Sequence, residues 1–95
     1  MLNEKYQKRI KKSIAKHLKK GVKVFIFGSA AESKNFNDVD IAIMSKRKVD
    51  ELKLSLIRED LENSTFPYKV DIIDLNKTER KFREKVLKGE IIWLT

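Results

Sequence analysis

Apolar residues recur at two different spacings along this chain, and these spacings predict helices and strands in alternation. Three segments, residues 3–21, 50–63 and 76–89, carry apolar residues about every three or four positions, which is typical of amphipathic helices. Asn3, Asp50 and Asn76 are predicted to cap these helices, the last in a capping box with Glu79. The residues that define the three apolar faces are Tyr6, Ile10, Ile14, Leu18, Leu52, Leu56, Ile57, Phe82, Val86 and Leu87.

Shorter segments rich in β-branched and aromatic residues predict the strands. Residues 22–27 are almost continuously apolar and stop at Gly28, which indicates a mostly buried strand. Residues 38–44 alternate, so Val39, Ile41 and Ile43 are expected on one face of a strand and the other four residues on the opposite face. Residues 68–75 predict a third strand, and residues 91–94 a terminal strand or a plug against the core. Residues 30–37 are expected to form a helical turn or a loop.

The length of 95 residues limits the architecture that these elements can form. A single domain spanning residues 1–95 is expected, because domains typically hold about 100–150 residues. A chain of this size buries only about 60–65% of its unfolded surface, which favours one sheet covered by one layer of helices. The predicted fold class is therefore α/β.

The composition narrows the chemistry that is available. The chain has no cysteine, which excludes thiolate nucleophiles and cysteine-ligated metal sites, and its single histidine excludes a multi-histidine site. We interpret that residue, His17, as a surface or boundary residue of the first helix. Any catalysis must therefore depend mainly on carboxylates, hydroxyls, lysines and metal ions. No apolar run is long enough to span a membrane and no signal peptide is recognisable, so the expected location is cytoplasmic.

The basic charge of the chain is unevenly distributed. Lysines and arginines number 22 against 14 acidic residues, a net charge of +8, and they are dense in residues 1–23. Such a distribution is compatible with an electrostatic footprint for RNA or for an acidic protein. We favour a solvated lysine-rich surface, because the bases of the first helix surround its apolar stripe and no aromatic ladder accompanies them. A nucleic-acid partner is therefore possible but not favoured.

Three sequence features could act together at one site. Gly28-Ser29 ends the first strand, where a glycine permits close approach of a ligand and a serine offers a donor to phosphate. Asp38 and Asp40 are two residues apart and so lie on the same face of their strand. Asp71 is a further acid in an otherwise apolar strand, whereas Asp74 has the opposite parity and is expected to point away or cap the following turn. Each feature alone is also compatible with an ordinary turn or a polar strand face.

Taken together, the three features predict a site for metal-assisted chemistry. Two like charges side by side repel unless a cation lies between them, and Mg²⁺ prefers carboxylate oxygens together with water or phosphate oxygens. If the second and third strands are neighbours, three carboxylates face the Gly-Ser loop. Such a site would hold two Mg²⁺ ions and a nucleoside triphosphate, the arrangement used for attack on phosphorus.

The order of these motifs resembles the nucleotidyltransferase superfamily that includes DNA polymerase β, and most closely its minimal nucleotidyltransferase (MNT) domains. The resemblance rests on Phe27-Gly28-Ser29, then Asp38-Val39-Asp40, then Asp71, and extends over nearly the whole chain. It implies a nucleotidyltransferase fold, a small mixed β-sheet with helices mainly on one face and the active-site cleft on the other. It also implies that Asp38, Asp40 and Asp71 are catalytic and bind the metal ions, and that Gly28 and Ser29 bind the nucleotide.

The resemblance implies a partner as well. Minimal domains of this type often act as antitoxins for a helical HEPN ribonuclease toxin, and some transfer AMP from ATP to a tyrosine of that toxin. The chain is therefore expected to be a Mg²⁺-dependent nucleotidyltransferase whose acceptor is a hydroxyl of a partner protein. Two alternatives stay open: a weak or inactive antitoxin that neutralises its partner by binding, and a basic RNA-binding module.

This sequence departs from the family pattern after Ser29. The family commonly has an arginine there, whereas this chain has Ala30, Ala31 and Glu32. The loop between Ser29 and Asp38 is also shorter than the common version. A missing arginine removes a potential phosphate contact, so we expect nucleotide binding to be weakened or altered.

Overall fold

A computed structural model describes all residues, 1–95, and contains a four-stranded mixed sheet with four helices. The elements are, in order, α1 Glu4–His17, β1 Lys23–Phe27, α2 Ser29–Glu32, β2 Asp38–Met44, α3 Glu51–Glu62, β3 Lys69–Asp74, a 3₁₀ turn at Leu75–Lys77, α4 Arg80–Lys88 and β4 Ile92–Trp93. The strand order is β3-β2-β1-β4, with β2 and β3 parallel and the other two pairs antiparallel. The predicted mixed α/β architecture is confirmed.

Side-chain caps set the starts of two of the helices where the sequence predicts them. The Asn3 side chain accepts a hydrogen bond from the Lys5 amide, and the Asp50 side chain accepts one from the Leu52 amide. The predicted end of α1 at Gly21 is wrong by about one turn, because Leu18 already has an extended backbone. The predicted start of the last helix at Asn76 is also wrong, since the 3₁₀ turn intervenes and Glu79 is the residue that precedes α4.

The sheet separates two apolar layers of unequal size. The larger layer packs α1 and α3 against one face, and includes Ile10 and Ile57 together with Val39, Ile41 and Ile43 of β2. The smaller layer, on the other face, contains Phe25, Ala42, Leu75 and Val86 and is covered by α4. The helices therefore lie mainly on one face, and the opposite face is only partly covered.

The faces of α3 and α4 differ from the sequence prediction. In α3 the buried residues are Leu54, Ile57 and Leu61, whereas Leu52 and Leu56 are exposed. In α4 only Val86 is buried, and Phe82 and Leu87 are about two-fifths exposed. The physical reason is that several apolar residues satisfy helical spacing, and the tilt of each helix on the sheet decides which of them face inward. None of the helices is both long and apolar enough to cross a membrane.

Candidate active site

Parallel pairing of β2 with β3 brings two of the predicted acids side by side. Asp40 pairs with Asp71, and Asp38 lies two residues earlier on β2. All three point to the sheet face that α4 partly covers, because Val39, Ile41, Val70 and Ile72 occupy the opposite layer. The predicted grouping of the acids on one face is confirmed, while their catalytic role stays a prediction.

Gly28 lies against this acidic pair at the end of β1. Phe27 pairs with Asp40 across the antiparallel β1–β2 ladder, so the turn that follows passes directly beside the Asp40 side chain. The backbone of Gly28 has φ +73° and ψ −153°, a conformation that is essentially restricted to glycine. A Cβ at this position would lie 2.8 Å from Asp40 Oδ2. Gly28 is therefore required both by its backbone conformation and by the approach of the carboxylate.

Ser29 begins the short helix α2 next to that turn. It is exposed, whereas Ala30 and Ala31 are packed into the core. The amides of Ala31 and Glu32 bond to the Gly28 carbonyl, which fixes the turn in place. Because Ala30 has no exposed surface, an arginine could not replace it without moving α2. The packing around Ala30 therefore excludes the arginine that the family commonly has at this position.

The negative charges of the three acids repel one another. Burial raises the pKa of Asp40, and the neighbouring carboxylates of Asp71 and Asp38 raise it further. None of the three side chains forms a salt bridge or a hydrogen bond with another protein group. Negative charge at this site is therefore left uncompensated by the chain itself.

The donor chemistry fits a hard divalent cation. Carboxylate oxygens are the ligands that Mg²⁺ prefers, and a cation would relieve the repulsion that raises the pKa of Asp40. With the side chains as they stand, no three acidic or histidine side chains converge closely enough to form a complete metal cluster. Asp38 and Asp71 are exposed, so their carboxylates can rotate without repacking the core.

Two other ionisable residues that the sequence singles out lie away from this site. Asp74 is buried, and its side chain accepts a hydrogen bond from the Asn76 amide, which agrees with the predicted capping role. His17 is 2.6 Å from Asp60 Oδ2 and links α1 to α3 on the other side of the sheet. His17 is partly buried at the end of α1, which agrees with its interpretation as a surface or boundary residue of the first helix.

Aromatic residues lie beside the acids on the same face of the sheet. Phe27 lies on the same face as Asp40 and is half-buried, and its ring centroid is 6.4 Å from that of Phe82, which is 41% exposed. Trp93 contacts Phe25 further along this face and is half exposed. The sequence feature that indicates this aromatic surface is the alternation of Phe25 and Phe27 along β1, because it places both rings on the face of the acids.

Comparison with known proteins identifies the family. The model of the family described as polymerase beta, nucleotidyltransferase matches residues 8–95. The chain belongs to this nucleotidyltransferase family. Among curated proteins, this nucleotidyltransferase is 32% identical over 85 residues to the probable protein adenylyltransferase MntA of Haemophilus influenzae, covering 87% of the chain and 75% of MntA.

Solved structures support the fold of this nucleotidyltransferase. A toxin–antitoxin crystal structure with AMP-PNP matches with a TM-score of 0.75 at 22% identity, over 94% of this chain and 72% of the other. A complex of the tri-AMPylated Shewanella oneidensis HEPN toxin with its MNT antitoxin matches with a TM-score of 0.63 at 22% identity, over 94% and 71% of the two chains. At these identities the likeness establishes the fold alone.

Proposed function

We propose that this chain is a Mg²⁺-dependent adenylyltransferase that transfers AMP from ATP to a hydroxyl of a HEPN toxin and thereby acts as an antitoxin. The observation that carries the proposal is the convergence of Asp40, Asp71 and the Gly28 turn at one end of the sheet. The similarity to MntA, a probable protein adenylyltransferase, supports AMP as the transferred group and a protein as the acceptor. The structural neighbours, one with AMP-PNP and one with an AMPylated HEPN toxin, support the choice of nucleotide and partner.

We assign a role to each site residue from its position. Asp38 and Asp40 would hold two Mg²⁺ ions from one strand, and Asp71 would hold one of them from the next strand. When bound, such ions activate the incoming hydroxyl and stabilise the leaving pyrophosphate. Asp71 is exposed and lies on a different strand from Asp38 and Asp40, so we assign to it the orientation of the acceptor hydroxyl or the removal of its proton. Gly28 and the exposed Ser29 would hold the triphosphate, since this turn lies against Asp40 and Ser29 is open to solvent.

The aromatic pair Phe27 and Phe82 offers a surface for the adenine base of ATP. Phe27 is adjacent to Asp40 and Phe82 is partly open to solvent, so a purine can lie against this apolar surface while its phosphates meet the acids. No arginine supplements the phosphate contacts in α2. We therefore expect ATP affinity to depend strongly on the metal.

Calorimetric titration tests the nucleotide site directly. Mg²⁺–AMP-PNP is titrated into the wild type, into the Asp38→Asn/Asp40→Asn double variant, and into Asp60→Asn as a control on the other side of the sheet. Binding by the wild type and the control that requires Mg²⁺ and is lost in the double variant is the expected result. Unchanged binding by the double variant would show that the site assignment is wrong.

Transfer is tested separately, with ATP labelled at the α-phosphate and a HEPN toxin as acceptor. Label on a toxin hydroxyl, absent with the double variant, is expected. If the wild type neutralises toxin ribonuclease activity without transferring label, and the double variant neutralises equally well, the chain is instead an antitoxin that acts by binding alone. That outcome would contradict the transferase proposal while leaving the antitoxin role in place.

A further inference from the structure

A cavity lies at the end of the sheet opposite the acids. It has a volume of about 710 Å³ and is formed where the α1–β1 turn, residues 18–23, meets the segment that follows β2, residues 44–50. Asp40 of the candidate active site and Met44 of this cavity are four residues apart on β2, so the two sites are separated by about 14 Å at ~3.4 Å per residue. The cavity is therefore independent of the nucleotidyltransferase site.

Positive charge is concentrated around this cavity. Seven of the 22 basic residues of the chain line it, with a single acid, Asp50. That acid is already engaged, because it accepts the hydrogen bond that caps α3. None of the seven basic side chains forms a salt bridge or a hydrogen bond to another residue. The seven residues, referred to below as the basic cleft, are Lys19, Lys20, Lys23, Lys46, Arg47, Lys48 and Lys53.

A concave surface with this much unpaired positive charge is expected to bind a polyanion. The mutual repulsion of the lysines opposes folding, and a multiply charged anion would relieve it at several points at once. Six of the seven bases are lysines, which act toward phosphate as point charges without a fixed orientation, whereas arginine forms forked, oriented pairs with carboxylate and phosphate alike. This composition fits the repeated, freely oriented phosphates of a polyanionic backbone, and competition with an acidic peptide tests that choice.

The remaining lining indicates which part of a nucleic acid would be contacted. Four apolar residues line the cavity, Leu18, Val22, Met44 and Val49, and none of them is aromatic. Bases therefore have no ring on which to stack, and contacts to phosphate and sugar dominate. A volume in the range of small-ligand pockets accommodates a few nucleotides of a single strand.

We propose that the basic cleft binds the phosphodiester backbone of single-stranded nucleic acid, with little preference for sequence. The site is distinct from the proposed ATP site, so its existence does not depend on the adenylyltransferase activity. Binding is electrostatic, and its affinity falls steeply as salt is raised. For four contacted phosphates, affinity drops about fiftyfold between 50 and 200 mM salt.

Fluorescence anisotropy of a labelled 12-nucleotide RNA measures this binding. The test variant is Lys46→Gln/Arg47→Gln/Lys48→Gln, which removes three exposed charges of the basic cleft. The control is Lys8→Gln/Lys11→Gln/Lys12→Gln, which removes the same charge from exposed positions on α1 outside the cavity. Thermal unfolding by circular dichroism verifies that both variants fold like the wild type.

The cleft variant is expected to bind RNA about ten- to a hundredfold more weakly at 0.1 M salt and with a shallower salt dependence by about two units in the logarithmic slope. The control is expected to lose less than about threefold, since it affects only the distant field of the protein. Equal losses in both variants would show diffuse attraction and no site. If poly-glutamate or inorganic polyphosphate competes more effectively than unlabelled RNA, the assignment to nucleic acid is wrong. It is also wrong if the wild type does not bind RNA.

Discussion

Asp40 and Asp60 are acids whose surroundings move their pKa values in opposite directions. Burial and two neighbouring carboxylates raise the pKa of Asp40, whereas hydrogen bonding to His17 lowers the pKa of Asp60, with Lys16 and Ser13 contributing. The ionised form of Asp40 therefore opposes folding, and the ionised form of Asp60 supports it. This contrast distinguishes Asp40, a candidate site residue, from Asp60, whose hydrogen bond with His17 stabilises the fold.

Replacing Asp40 by Asn should stabilise the metal-free protein while abolishing transfer. The raised pKa means that ionised Asp40 is unfavourable once the pH rises through its folded-state value, and Asn removes that charge at every pH above it. Thermal unfolding at pH 7 without Mg²⁺ measures the first effect and the label-transfer assay the second. A lower melting temperature for Asp40→Asn would contradict the electrostatic account of this site.

Replacing Asp60 by Asn should have the opposite effect on stability and little effect on transfer. Because the folded-state pKa is lowered, the stabilising contribution is complete above the ordinary value of 3.8 and is lost as pH falls through the folded value. The melting temperature of the variant is expected to lie below that of the wild type at pH 7, and the gap should narrow as the pH is lowered below 3.8. A gap that stays constant with pH would assign the effect to packing instead. Lys16→Gln is the matched control, since this exposed partner, 3.8 Å away, contributes little.

Gly28 and Gly21 form a natural pair for testing the close approach at the site. Both have positive φ, but a Cβ on Gly28 meets the Asp40 carboxylate, whereas a Cβ on Gly21 meets nothing within 4 Å. Gly21→Ala should cost about 1–2 kcal/mol of unfolding free energy for the backbone conformation alone. Gly28→Ala should cost more and should also reduce transfer at least tenfold, because the Asp40 carboxylate must move. Equal losses of stability with transfer intact would show that the contact with Asp40 is unimportant.

The residues of the candidate site were largely predictable from sequence, and the reason is geometric. Side chains alternate strictly along a strand, so the spacing of Asp38 and Asp40 determines a shared face once β2 is recognised. The contact of Asp60 with His17 could not be predicted, because the two residues are 43 positions apart and depend on how α1 packs on α3. The raised pKa of Asp40 likewise depends on the register of β2 with β3.

At the scale of elements, α3 shows how little helical spacing determines on its own. Ile57 has no exposed surface and Leu52 is 64% exposed, although both satisfy the apolar pattern of the helix. Which of them faces the core depends on the crossing of α3 over α1 and β3, which no short-range pattern encodes. The starts of α1 and α3, in contrast, were predictable because Asn3 and Asp50 cap their own helices locally.

The two residues of α3 also give a test of the larger apolar layer. Ile57→Ala should lower the free energy of unfolding by about 2–5 kcal/mol, since it leaves a cavity between α1 and α3. Leu52→Ala on the same helix should change it by less than about 0.5 kcal/mol. Urea unfolding followed by circular dichroism measures both. Similar losses for the two variants would show that α3 packs with a different face inward.

At the scale of the whole molecule, the ends of the sheet carry opposite charge. The three acids gather at one end of β2, and the basic cleft surrounds the other. The net charge of +8 could be read from the sequence, but its separation into two poles could not. The seven cleft residues come from two segments that are distant in sequence, residues 19–23 and 46–53, and the antiparallel pairing of β1 with β2, which sets Lys23 opposite Met44, brings these segments together.

The position of β3 at the edge of the sheet has a consequence for solubility. An edge strand exposes unpaired backbone groups, and a run of β-branched residues there invites strand addition from another chain. Asp71 interrupts such a run between Val70 and Ile72, and at the other edge β4 is only two residues long. We therefore expect Asp71 to oppose aggregation, and expect its substitution by an apolar residue to create a continuous apolar edge in addition to removing an acid of the candidate site.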